Sequence, residues 1–335
     1  MKSGTLKHAA RGLPRILLFI ALLAQPAPHA RAQSADATRY EAFDPKGRAV
    51  RLEEIIEALD GADVLFVGET HDDATGHAVE AELLRRADER YSRGAGGGRA
   101  VALSLEMFER DVQTVVDEYL GGLISERHFL LSSRPWNNYA TDYRPLVEYA
   151  REHRLPVIAS NAPARYVSRV NAEGAASLSA LSKEARAWLP PLPFPEASAA
   201  YASKFNLFMS GGRAAATPAP AATAAQPSRG PANPHAQPAS PHGGTHLLEA
   251  QTLRDASMAY AISEFLRRGR DPLVVQVNGT FHSEGRMGVP EQLAHYRRKA
   301  RAVVVTIVPD EGRAGFDAAR MAALGDFIIL TGPAR

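Results

Sequence analysis

The chain has 335 residues, 45% of them apolar and 23% charged, with a formal charge of +2 and no cysteine. That composition suits one large globular domain or two small ones, and it excludes disulfides, thiolate metal sites and a lipid carried on an N-terminal cysteine. The first 32 residues hold five basic side chains and no acid, so the rest carries −3 and offers no basic stripe for nucleic acid.

In chain order, Lys2, Lys7, Arg11 and Arg15 precede the apolar run 16–24, and Ala30 and Ala32 flank Arg31 as a small-x-small cleavage pattern. Residues 1–32 therefore read as a secretory signal peptide, too short for the ~20 apolar residues of a membrane span. The expected address is the periplasm, with 33–335 as a single domain. Beyond the leader, β-rich runs occur at 63–68, 100–106, 155–161, 272–279, 301–308 and 326–332. Helical patterns lie between them at 77–91, 111–120, 143–153 and 247–268. Near-continuous apolar strands alternating with helices predict an α/β fold, a mostly parallel sheet flanked by helices. One segment, 210–246, is almost wholly Ala, Pro, Gly, Ser and Thr. It cannot bury enough apolar surface to offset its ordering entropy and reads as a disordered insertion between two helices. Its histidines, His235, His242 and His246, read as part of a solvated linker.

In an open α/β sheet, ligands bind beyond the carboxyl ends of the strands. Four of the expected strands end in polar chemistry: "GETH" after Val67, "EMFER" after Leu105, "NAP" after Ser160 and "NGTFHSEG" after Val277. Parallel strands would bring Glu69, His71, Glu106, Arg110, Asn161, His282 and Glu284 to one rim. Acid and imidazole at corresponding strand ends suit a divalent metal or a general acid/base pair. Each has a plainer reading: Glu69 as a helix cap, Glu106 with Arg110 as an i,i+4 pair on a helix start, and His282 as a turn histidine. His71 and His77 are six apart, which is off the spacing of a two-histidine helical clip. The segment "SRPWNNYATDYRPLVEYA" gathers Trp136, Tyr139, Tyr143 and Tyr149, as core packing or as a platform for a flat cofactor. Pro145 disfavours helix at Arg144, so 139–143 reads as a loop. On the helix from Leu247, Gln251 and Asp255 fall on the apolar stripe of Leu248, Ala259, Ile262 and Leu266, where they would need buried partners.

Taken in order, "GETHDDATGH", "LSLEMFERDVQ", "RPWNNYATDYRPLVEYA", "NAPARYV", "QTLRDASMAYAI" and "GTFHSEGRMGVPEQL" resemble the ChaN-like haem-binding uptake proteins of the Tiki superfamily. The resemblance implies the α/β fold of ChaN-like proteins and erythromycin esterases, haem bound through tyrosine at a dimer interface, and a place in an outer-membrane haem and iron uptake system. It makes Tyr139 and Tyr143 the first candidates for the iron ligand, with Tyr166 behind them, and Arg110, Asn161 and His77 further haem contacts. Related Tiki enzymes are metal-dependent proteases with a "GxxH" motif, matched by Gly68 to His71. That implies a hydrolase alternative, with Glu69 or Glu106 as base and His71, His282 and Glu106 as ligands of a divalent metal. No "GxSxG" elbow supports a serine enzyme. A non-enzymatic haem binder and a metal-dependent hydrolase both remain open at this point.

Overall fold

The computed structural model describes residues 1, 40–92, 98–210, 245–269, 271–310, 312 and 314–332. The leader expected at 1–32 lies outside them except for Met1, as does the insertion except for Ser210, Thr245 and His246. The described residues from Tyr40 onward belong to one compact unit.

Strands β1 (Tyr40–Phe43), β2 (Ala49–Val50), β3 (Val64–Glu69), β4 (Val101–Glu109), β5 (Val157–Asn161), β6 (Leu273–Gly279), β7 (Ala302–Pro309) and β8 (Phe327–Thr331) form one sheet. Its order is β2, β1, β8, β7, β3, β6, β4, β5. Pairing is parallel from β8 through β5, and β1 and β2 run antiparallel at one edge. All six strands expected from apolar runs are present, whereas β1 and β2 are too short to carry such a run.

The helices are α1 (Leu52–Glu57), α2 (Ala74–Tyr91), α3 (Gln113–Leu120), α4 (Glu126–Ser133), α5 (Arg144–His153), α6 (Ala164–Glu173), α7 (Lys183–Arg186), α8 (Ala199–Met209), α9 (Leu247–Leu266), α10 (Val289–Tyr296) and α11 (Ala318–Met321). They cover both faces, because successive strand residues point to opposite sides. Leu65 and Val67 of β3 join Ile55 and Ile56 of α1 and Val79, Leu83 and Leu84 of α2 in one core. Val64 and Phe66 join Met258, Ala259 and Ile262 of α9 and Leu293 of α10 in the other. Each such side chain other than that of Ala259, fully buried, contributes about 1.5–3 kcal/mol. No helix among the described residues is long and apolar enough to cross a membrane.

Three local expectations are corrected. The segment 139–143 is a π-helical turn (Tyr139–Tyr143) that runs into α5, with Arg144 fully helical. Pro145 sits in the first turn, where its missing N–H costs nothing, and burial of both tyrosine rings outweighs the local preference against helix at Arg144. Glu106 and Arg110 are not a helical pair, because β4 continues to Glu109. Pairing with β5 resumes at Glu109 and Asn161 past an irregularity, and the intervening Met107 and Phe108 are buried. Finally, α9 carries no single inward stripe: residues 252–259 are all buried, because β5, α6 and α10 also pack on it. At its start His246 bonds Glu249 through Nδ1 at 2.6 Å, so this histidine belongs to a helix end.

Candidate functional site

The adjacent central strands β3, β6 and β4 deliver four of the expected acids and imidazoles to one place. Glu69 closes β3 and is buried; helix α2 is capped instead by Asp73, whose side chain accepts from the Thr75 N–H. Glu69 Oε1 accepts from the Tyr143 hydroxyl at 2.7 Å and lies 2.6 Å from His71 Nδ1. The His71 ring packs edge-on to Trp136, with centroids 4.6 Å apart. Burial pushes the His71 pKa down, but the hydrogen bond and charge of Glu69 outweigh it and raise it. Tyr143 is driven the other way as an acid: burial, then the Glu69 charge, pushes its phenol far above the ordinary range.

A second pair forms across β4 and β6. Glu106 Oε2 accepts from the Gly279 N–H at 2.7 Å, and its Oε1 lies 3.1 Å from His282 Nε2. His282 Nδ1 lies 2.6 Å from Asp255 Oδ1 on α9, and Tyr201 of α8 donates its hydroxyl to Asp255 Oδ2. Burial would lower the His282 pKa, but the charges of Glu106 and Asp255 raise it to about 10. The two pairs meet at Gly279, where a Cβ would stand 2.9 Å from His71 Nε2 and 3.7 Å from Glu106 Oε2. Any side chain there would push His71 aside.

Glu69, His71, Glu106 and His282 thus share one site, joined by Tyr143, Asp255 and Tyr201. Asn161 is buried at the end of β5, where its Oδ1 lies 3.5 Å from Nη1 of Arg254. Burial lowers the pKa of that guanidinium. Arg110 lies over the Tyr260 ring, 6.0 Å from its centroid, and the acid that acts on its charge is Glu264 rather than those of the cluster. Glu284 meets Lys204 of α8 at 3.4 Å. His77 turns its Nε2 to the His71 carbonyl at 3.2 Å and its Nδ1 to Glu80 at 3.0 Å. Tyr139 is enclosed by Phe108 and Phe129, and its buried hydroxyl has no hydrogen-bond partner among the described residues. Tyr166, on α6, lies under the Arg165 guanidinium at 4.5 Å, and the same guanidinium covers Trp188 at 5.2 Å.

Sequence reasoning passed over Tyr201, Arg254 and Glu80. The i,i+3 spacing of His77 and Glu80 on one helix face was readable; nothing local marks Tyr201 or Arg254. A cavity of about 520 Å³ lies at the amino ends of the strands, among Asp88, Arg99, Val101, His153 and Arg154, away from this cluster.

Comparison with known proteins adds the lineage. The family model described as haem-binding uptake, Tiki superfamily, ChaN, matches residues 55–293. Among solved structures, ChaN of Campylobacter jejuni, which binds haem cofacially, is 13% identical with a TM-score of 0.57, covering 88% of this chain and 98% of that one. An erythromycin esterase, EreC, in its open conformation is 11% identical with a TM-score of 0.42, covering 81% of this chain and 77% of that one. No curated protein matches.

Proposed function

Since the chain belongs to the ChaN family of haem-binding uptake proteins in the Tiki superfamily, we propose that it is an exported protein that carries haem, as cargo, in iron acquisition. The observation that carries this reading is the family match, which spans β3 to α10 and so includes every residue of the strand-end cluster. Of the three tyrosines, Tyr166 suits an iron-bound phenolate best. Its neighbour Arg165 brings a positive charge against the ring, and the partly exposed Trp188 adds a flat apolar surface. Tyr143 is committed to Glu69, and Tyr139 is sealed in the apolar core. When bound, ferric haem supplies an iron centre that favours hard anionic oxygen. The protein's part is to present the phenol and exclude water, with two copies enclosing the cargo.

Titration of the mature protein with ferric haem, followed by absorbance, tests this. Tight binding at micromolar haem is expected, with an altered spectrum and weaker affinity in Tyr166→Phe but not in Tyr139→Phe. Absence of binding ends the haem reading; binding indifferent to Tyr166→Phe moves ligation to another side chain. Light scattering with and without haem checks the dimer. Intact mass of the periplasmic fraction checks export, with Gln33 expected as the first residue.

A second reading, a metal-dependent hydrolase, draws on the meeting of Glu69 and His71 with Glu106 and His282 at Gly279. There Glu69 or Glu106 would act as base and His71 and His282 as ligands or acid. Hydrolysis of ester or peptide probes that is lost in Glu106→Gln and unaffected by haem would favour it; a metal-free, inactive protein would dismiss it.

A further inference from the structure

Behind the strand-end cluster lies a group that neither reading uses as a unit. His77 and Glu80, one turn apart at the start of α2, face Glu69 at the end of β3, and all three are buried. A donor atom from each lies within 4.8 Å of the other two. His77 Nε2 faces the His71 carbonyl oxygen at 3.2 Å, and a carbonyl oxygen only accepts, so this nitrogen carries a proton. The other nitrogen, Nδ1, then faces Glu80 Oε2 at 3.0 Å. A nitrogen lone pair and a carboxylate oxygen this close need a positive species between them. A proton can serve, but so can a metal ion: bonds of about 2.1 Å at a right angle would set the two donors at nearly the observed spacing.

Two further facts favour a metal. Glu69 Oε2 and Glu80 Oε1 are buried and accept no hydrogen bond among the described residues, although buried carboxylate oxygens ordinarily find donors. The Nε2–H held by a backbone carbonyl is also the arrangement that fixes metal-binding imidazoles.

We propose that Glu69, His77 and Glu80 form a binding site for a first-row divalent transition-metal ion, distinct from the haem site and from the Glu106–His282 pair. One nitrogen and two carboxylates favour manganese, iron, cobalt or zinc over magnesium and calcium, which prefer oxygen alone. Asp142, whose Oδ2 lies 3.9 Å from His77 Nε2, and Tyr143, which donates to Glu69 Oε1, form the surrounding layer.

The test uses the full mature chain, stripped with chelator and titrated with cobalt(II), whose visible absorption reports coordination. One ion per chain is expected, together with a higher Tm in its presence. Glu80→Gln and His77→Gln should each weaken cobalt binding about tenfold or more, the usual loss when a ligand or its support is removed. Glu249→Gln, at the start of α9, should leave binding within about twofold, as for a residue remote from the site. Absence of a cobalt spectrum and of a Tm rise in the unaltered protein overturns the proposal. So does binding that survives Glu80→Gln but is lost in Glu106→Gln, which would place the ion at the strand ends instead. Circular dichroism separates failure to bind from failure to fold, and Glu80→Asp, which keeps the charge but shortens its reach, replaces Glu80→Gln if that variant is unfolded. Haem is absent throughout, so the result stands whatever the haem titration gives.

Discussion

His282 is buried with a carboxylate oxygen against each ring nitrogen, Asp255 at Nδ1 and Glu106 at Nε2. Its pKa of about 10 in the folded chain lies above the ordinary value near 6.5. A raised folded pKa means the stabilisation is complete below about pH 6.5 and is lost as pH climbs through 10. With chelator present, Tm should therefore fall between pH 7 and 10, and a rising Tm over that window would show His282 to be neutral. His282→Asn should flatten the slope and cost about 3–5 kcal/mol, because it strands two buried carboxylates. The two tyrosines of the π turn should behave in opposite ways. Tyr139→Phe removes a buried hydroxyl without a partner and should be neutral or stabilising by up to about 1 kcal/mol in urea unfolding. Tyr143→Phe removes the donor to Glu69 and should destabilise by about 1.5–3 kcal/mol.

Among the elements, the π turn (Tyr139–Tyr143) matters most to the site, because it carries Tyr143 and closes over the loop between β3 and α2. Asn138 ties the two together, donating through Nδ2 to the His71 carbonyl at 2.7 Å and to Asp142 Oδ2 at 2.8 Å. The same carbonyl faces His77 Nε2, so one backbone oxygen holds the loop from both sides. Asn138→Ala should cost about 1–2 kcal/mol, the usual loss for a part-buried hydrogen bond whose partner is left unsatisfied. It should also speed amide exchange at residues 70–73 without changing exchange in β6. Uniform acceleration through the sheet would mean that Asn138 supports the whole fold rather than this junction.

At the level of the whole molecule, the parallel sheet explains why residues from three distant strand ends share a site: β3, β6 and β4 are neighbours running the same way, so their carboxyl ends lie side by side. Helix α9 completes the arrangement by bringing Asp255 to His282 from one covering layer, while α2 and α5 hold the other. The helices of both layers are built from sequence outside the Ala/Pro-rich segment between α8 and α9. Deleting residues 214–241 should leave haem affinity unchanged and lower Tm by less than about 5 °C, since closure entropy varies slowly with loop length. A larger drop would show that the segment packs on the domain.

The sequence by itself determined the class of fold. Apolar runs such as 64–68 and 273–279 are buried on both faces, and only a covered, mostly parallel sheet accommodates several of them. It also located the acids and histidines of the site, because strand direction dictates that residues following such runs lie at one end. Partners were not legible. Whether Glu106 belongs to a helix or a strand depends on pairing with β5, and whether Tyr139 faces a ligand or Phe129 depends on α4, packed across the layer. Tyr201 reaches Asp255 from 54 residues away, and Arg254 reaches Asn161 from 93. Such contacts arise from the meeting of separate elements, whose mutual placement is set by the packing of the core and not by any local pattern of residues.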